Sequence, residues 1–258
     1  MPLTGATGPA TVVGSAVQHA AECLSGITIH QLAKAGSPIV WGGSPASFDM
    51  RTGTTPMGSI ATMMLDCTYA QIGKNIKPGG LPTHAYLGMA DTKIVDAQTG
   101  LESASGAILG ALAGVNMMSG AGMMDFESCF SLEKLVLDNE ICGMTLRMVK
   151  GIEPKEDFPS LPRFEELLRD QHLLISDHTR KYLKEEIHFP GPVIDRANRS
   201  RWQEEGGLTL CQRASKEVER LVAGYEPIEL TEEIRRGLTK LMAAEAKRNG
   251  MDKLPEID

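Results

Sequence analysis

Apolar and polar positions alternate in two different ways along this chain, and the change of pattern divides it. From residue 1 to about 150, long runs rich in Ala, Gly, Met and Leu are separated by short β-branched or aromatic runs. The pattern predicts a helix over Pro9–Ala35, opened near a proline and closed at Gly36. A short apolar strand is expected at Ser37–Gly43 (SPIVWGG), and a second helix over Met57–Ile76, closed by Lys77-Pro-Gly-Gly. Thr83–Met89 (THAYLGM) reads as a strand, Ala97–Ala113 as a helix and Val115–Gly120 (VNMMSG) as a third strand. Ser131–Lys150 follows as a helix with a Ser-x-Glu opening. Strand and helix alternating at this spacing imply βα units and a parallel sheet, barrel or doubly wound. Both faces of such strands are covered, which explains why they carry so little charge.

After Lys150 the alternation stops. Pro154, Pro159 and Pro162 interrupt the chain, and amphipathic helices are expected at Arg163–Gln171, His178–Glu186, Arg201–Tyr225 and Thr231–Asn249. Residues 1–152 therefore read as a partial (βα) barrel, and residues 153–258 as a helical extension. Three strands plus the remnant at Met1–Thr4 cannot close an eight-stranded barrel. The exposed edge calls for a partner, either a missing amino-terminal half-barrel or a second copy.

Charge and composition sharpen this division. Residues 1–130 carry 13 charged side chains and residues 131–258 carry 46. The net charge of -7 and the lack of a long basic run argue against nucleic acid or an anionic membrane as partner. No apolar run is long enough to span a bilayer, and the first residues lack a secretory signal. Cys23, Cys67, Cys129, Cys142 and Cys211 are scattered and contain no CxxC, which suits a reducing, cytoplasmic setting without a zinc site.

In parallel βα folds the chemistry lies in the loops that follow the strands. Three loops qualify: residues 41–55, 88–100 and 119–127. The charge of the first half concentrates there, in Asp49, Arg51, Asp91, Lys93, Asp96, Asp125 and Glu127. Asp49 and Arg51 are read either as site residues or as an ion pair across their loop. His84, within a strand, is either a ligand or a satisfied core histidine. Trp41 at a strand end is a candidate aromatic face. His19 and Glu22 are expected to form a buried hydrogen-bonded pair, and the Met-Met pairs at 63–64, 117–118 and 123–124 to fill core space. No Walker, dinucleotide or nucleophile-elbow spacing occurs.

Long segments resemble the trimethylamine methyltransferase family. They include LTGATGPATVVGSAVQHAAECLSGI (3–27), GSPIVWGGSPASFDMRTGTTPMG (36–58), ADTKIVDAQTGLES (90–103) and VNMMSGAGMMDFESCFSLEKLVLDNEICGM (115–144), with ISDHTRKYL and VIDR beyond them. The resemblance implies the carboxyl-terminal part of a (βα)8 TIM-type barrel, about three to four βα units, followed by a helical extension. It also implies transfer of a methyl group from a methylated amine to the Co(I) of a corrinoid. That corrinoid (a cobalamin) would be presented by a separate small protein. No Asp-x-His-x-x-Gly cobalt-ligand motif occurs, so this chain is expected to bind no cofactor and no metal itself. Trimethylamine-specific members carry pyrrolysine, which the resemblance would place in the Asp91–Leu101 loop. Only ordinary residues stand there, as in the glycine-betaine-type branch.

A quaternary ammonium already carries its charge, so loss of its methyl group releases a neutral amine without a general acid. The protein then has to capture and align it, with aromatic faces for the cation and a donor for any carboxylate. From their positions, Trp41, Phe48, Arg51, His84, Tyr86, Gln98 and Glu127 are the candidate substrate-binding residues, and Asp49, Asp91 and Asp96 the catalytic candidates. The expected substrate is a small quaternary or tertiary amine. The competing reading is a non-catalytic fragment or binding module of the same family.

Overall fold

The computed structural model describes residues 1–76, 79–251 and 253–254. Its first half runs β1 (Leu3–Thr4), α1 (Val12–Ala33), β2 (Ala46–Ser47), α2 (Ile60–Asn75), β3 (His84–Ala85), α3 (Ala97–Leu112) and β4 (Met117–Met118). A hairpin of β5 (Met123–Met124) and β6 (Cys129–Phe130) leads into α4 (Leu132–Val149). The four main helices start where a short polar side chain caps them. Thr11 accepts from Gly14 N–H, Ser59 from Thr62, Asp96 from Gln98 and Thr99, and Ser131 from Lys134. Each such cap stabilises its helix by about 1 kcal/mol. The Lys77-Pro78 closure expected after α2 lies outside the described residues.

The parallel strands are neighbours in sequence order. β1 pairs with β2, Trp41 bridges to Thr83 just ahead of β3, and β3 pairs with β4. Among the described residues no strand is inserted out of this order. The ladders are shorter than the apolar runs. Within SPIVWGG only Trp41 bridges, Gly43 follows at φ 152°, and β2 starts at Ala46. Beyond β3 and β4 the pairing continues as single bonds, Ser119 N–H to Ala85 O and Gly120 N–H to Leu87 O.

Odd positions of the third strand, Ala85 and Leu87, pack with Trp41, Met63 and Tyr69 into the layer beneath the helices. His84 and Tyr86 alternate to the other face, as the period of two requires. The Met-Met pairs do the same. Met63 is buried and Met64 exposed, Met118 packs against the core while Met117 is exposed, and in the third pair Met124 is buried and Met123 packs against Ala46, Met57 and Met89. His19 is also buried, but its neighbours are Cys23 and the edge of the Tyr69 ring. Glu22 points outward and accepts from Gln18, so the expected His19–Glu22 pair is not formed.

After α4 come α5 (Leu161–Asp170), α6 (Asp177–Glu186), α7 (Arg199–Glu204), α8 (Leu210–Ala223) and α9 (Glu232–Arg248). The single helix expected over Arg201–Tyr225 is broken, because Gly206 and Gly207 adopt left-handed φ values of 100° and 63°. Residues 153–219 belong to one compact unit with the first half, Met1–Glu219, and the second unit is Arg220–Asp258. Within the first unit Gly191 N–H donates to Glu140 on α4 (2.8 Å), and Arg147 on α4 donates to Glu186 O (3.0 Å). The change in charge density near residue 152 thus falls inside a packed unit.

Asp66 sits on the inner face of α2, fully buried, with neither carboxyl oxygen hydrogen-bonded among the described residues. Burial pushes its pKa well above the usual carboxylate range. The folded protein therefore keeps this proton to higher pH than the unfolded chain does. No stability is lost through it below about pH 4, the unfolded value, and progressively more is lost as pH rises towards the folded value. Asp66→Asn should match the parent protein in urea midpoint near pH 4 and exceed it near pH 8. A difference that does not change with pH would show that Asp66 is satisfied as an anion.

Candidate functional site

Three loops leave the carboxyl ends of the parallel strands, and polar side chains set the shape of each. In the loop after β2, Asp49 N–H donates to Thr54 O (2.9 Å), and Gly53, at φ 68°, turns the chain back. The Asp49 carboxylate accepts from Arg51 twice, from Nε at 3.0 Å and from Nη2 at 2.7 Å. These bonds hold its pKa down to about 2. Of the two readings open for this pair, the ion pair is therefore the one present. The Arg51 side chain is 88% exposed and its fork is turned onto Asp49.

The loop after β3 is latched to the start of α2. Asp91 Oδ1 accepts from Met57 N–H (2.9 Å) and Gly58 N–H (3.0 Å), and Asp91 N–H donates to Glu102 Oε2 (2.7 Å). Burial pushes the Asp91 pKa up, while the two backbone donors oppose that shift. Asp96 closes the loop as the capping residue of α3, its Oδ1 accepting from Gln98 N–H (2.9 Å) and Thr99 N–H (3.2 Å). Gln98 reaches Glu102 through its side-chain amide (2.7 Å). Asp91 and Asp96 thus each have a structural task.

The third loop bears the strongest backbone constraint. Asp125, Phe126 and Glu127 all adopt left-handed φ values of 49°, 55° and 75°, a conformation that costs energy for residues with a Cβ. Asp125 N–H donates to Thr92 O (3.0 Å), which joins this loop to the previous one. The Glu127 carboxyl is partly buried, and burial pushes its pKa up. The neighbouring ammonium of Lys93 lies 3.0 Å from Asp125 Oδ1 and 4.1 Å from the centre of the Phe126 ring.

Between these loops is an open hollow of about 330 Å³, whose wall includes Asp49, Asp91, Lys93, Asp96, Gln98 and Phe126. Four of the expected site residues meet there: Asp49, Asp91, Asp96 and Gln98. The others lie elsewhere. Trp41 is 1% exposed beneath α2, its indole N–H donates to Tyr69 O (2.8 Å), and its ring lies where any side chain at Gly73 would go. No face of it is open to a ligand, which corrects its assignment as an aromatic wall. His84 bonds Ser119 (2.8 Å) and meets Tyr86 edge-on, with ring centres 5.0 Å apart, on the strand face away from the helices. Phe48 joins the β1–β2 ladder through Phe48 N–H to Thr4 O (3.1 Å) and is half-buried, and Glu127 does not line the hollow. Lys93 and Phe126 line it although the sequence assigned them no role. An aromatic residue beside an acid in a strand-end loop was the one available signal. Among the described residues no group of three or more His, Cys, Asp and Glu side chains comes together as a metal-ligand set.

These contacts separate packing from binding. Trp41→Ala removes a buried ring and an indole hydrogen bond, and should lower the unfolding free energy by about 3–5 kcal/mol in a denaturant titration. Trp41→Phe should cost less, since most of the volume remains. Asp91→Ala frees the amides of Met57 and Gly58, whose hydrogen exchange should accelerate while that of the α4 amides is unchanged. Equal acceleration throughout would mean global unfolding and would refute a local latch.

A family model described as trimethylamine methyltransferase (MTTB) matches residues 1–250. A glycine betaine methyltransferase of Desulfitobacterium hafniense (strain Y51) is 33% identical over 249 residues, 96% of this chain and 51% of that protein. The trimethylamine methyltransferase MttB of Methanosarcina thermophila is 33% identical over 220 residues, 84% of this chain and 44% of that protein. The MttB of Desulfitobacterium hafniense (strain DSM 10664 / DCB-2) is 30% identical over 234 residues, 91% of this chain and 46% of that protein. The chain spans about half the length of the curated relatives it matches. With the match running through all three strand-end loops, the chain belongs to the trimethylamine methyltransferase family.

Proposed function

We propose that this chain is the carboxyl-terminal half of a (βα)8-barrel methyltransferase that takes a methyl group from a small quaternary amine. The observation that carries this reading is the family match over residues 1–250, which includes every loop around the hollow. Similarity to a glycine betaine methyltransferase over 96% of the chain supports a quaternary donor. The acceptor is the corrinoid of a separate small protein, whose Co(I) supplies the electron pair that bonds the methyl carbon while the C–N pair leaves with nitrogen.

The state of the carboxyl groups supports the same class of donor. Asp49 is held by Arg51, Asp96 caps α3 and Asp91 latches Met57 and Gly58. A reaction that needs an acid to protonate a leaving amine is poorly served by groups so engaged. A quaternary donor needs none, because nitrogen regains its lone pair and leaves neutral. The chain's task is then to hold the ammonium in an acidic, open hollow, with the methyl group directed to the side where the corrinoid protein approaches. The completing half-barrel comes from another polypeptide segment or from a second copy.

The test is methyl transfer in the assembled enzyme. This chain, combined with its complementary half and a Co(I) corrinoid protein, should convert the cobalt spectrum to methyl-Co(III) with at least one of glycine betaine, choline and tetramethylammonium. Asp49→Asn should lower kcat/KM alike for donors with and without a carboxylate, because it loosens the 49–54 turn. Binding without transfer, in a folded assembly and for every donor, would favour a non-catalytic binding module and defeat the proposal.

A further inference from the structure

One position in the hollow already holds an ammonium group, and it belongs to the chain itself. Lys93 Nζ donates to Asp91 O (2.7 Å), pairs with Asp125 Oδ1 (3.0 Å) and stands 4.1 Å from the centre of the Phe126 ring. An aromatic face, a carboxylate and a carbonyl oxygen around one nitrogen are the groups that recognise an alkylammonium ion. We propose that Phe126, Asp125 and the Asp91 carbonyl form an ammonium subsite, and that Lys93 is its internal occupant, which must swing out before a ligand cation enters. The identity of that cation rests on the function proposed above; the cradle rests on its own geometry.

Three features distinguish this arrangement from an ordinary surface ion pair. First, the ring and the carboxylate are presented by consecutive left-handed residues, Asp125 and Phe126, an arrangement that relaxes only if the loop is rebuilt. Second, Lys93 and Phe126 both line the hollow of about 330 Å³, so withdrawal of the lysine leaves room for a small onium ion beside the ring. Third, the Lys93 side chain is 61% exposed, and its exit into solvent is open.

The carboxylates that line the hollow are already engaged: Asp49 by Arg51, Asp96 by the start of α3 and Asp91 by two backbone donors. Asp125, at the edge of the hollow beside Phe126, is the carboxylate that forms an ion pair with Lys93. A quaternary cation that displaces Lys93 gains the ring and the carboxylate but has no N–H for the Asp91 carbonyl. A primary ammonium, like Lys93 itself, makes all three contacts. The lysine is therefore a competitor that raises the dissociation constant for every onium ligand, and its length and charge set the threshold that a substrate must pass.

Calorimetric titration with tetramethylammonium chloride tests this directly, since the probe has no carboxylate and binding needs no corrinoid. Lys93→Met keeps the stem and removes the charge, and it should tighten binding at least about tenfold, equivalent to ~1.4 kcal/mol. Lys93→Arg should leave affinity near that of the parent protein. The double variant Lys93→Met/Phe126→Leu keeps an apolar side chain without a π-face and should lose most of the gain. Circular dichroism and denaturation midpoints establish that each variant is folded. No tightening in Lys93→Met overturns the proposal, and so does a gain that survives loss of the Phe126 ring, because that would be simple removal of a positive charge. If no donor supports turnover in the assembled enzyme but tightening occurs and depends on Phe126, the subsite stands and the methyltransferase reading fails. Turnover with affinity unaffected by either substitution sinks the subsite alone.

Discussion

One turn of α4 ties together the ends of two strands, and the loops around the hollow depend on it. Lys134 and Asp138 are four residues apart and fully buried, and they pair with each other. The Lys134 ammonium also donates to Gly88 O (3.1 Å), and Asp138 Oδ2 accepts from Gly122 N–H (2.7 Å). Gly88 and Gly122 both have positive φ, at the points where the chain leaves the third and fourth strand segments. Burial works against both charges, lowering the lysine pKa and raising that of the aspartate, and each partner's charge opposes the shift of the other. Such a pair adds little net stability against an apolar replacement, but loss of one partner would strand the other without compensation. What it supplies is position. The Asp91 loop and the Asp125 loop begin from backbone atoms held by the same helix.

From those two anchors the remaining contacts follow in sequence. Asp91 fastens its loop to the start of α2, Asp125 N–H fastens the next loop to Thr92, and Asp96 starts α3. The charged residues saved for the strand ends are therefore largely spent on shaping the loops. Asp91 and Asp96 stand at strand ends, where catalytic carboxylates are expected, and their hydrogen bonds also shape the loops. The acidic character of the hollow is a by-product of that use.

Aromatic side chains divide in a related way. Trp41 stands at a strand end, where a π-face would be useful, but the alternation of the strand turns it under α2 and against Gly73. Phe126 is in an irregular loop, and its left-handed backbone turns the ring towards the Lys93 ammonium. A ring in a strand takes its direction from the pleat, whereas a ring in a strained loop takes it from the loop.

The sequence by itself determined the family and the succession of helices and strands, because those signals are local or contiguous. The proline near the start of the first helix, the Ser-x-Glu opening at Ser131, apolar runs of strand length, and long motifs shared with relatives are all read within a few residues of the chain. It also singled out the three loops that surround the hollow, since strand ends are where parallel βα units place their polar groups. Only the tertiary structure decided which way each side chain points and what it meets. Arg51 met Asp49 across its loop, His19 met Tyr69 rather than Glu22, and the helix expected over Arg201–Tyr225 broke where two glycines took positive φ. Lys93 and Phe126 are 33 positions apart in the chain, and no periodicity connects them. Their contact comes from the buried Lys134–Asp138 pair and the Asp125–Thr92 hydrogen bond, which bring two loops to the same place.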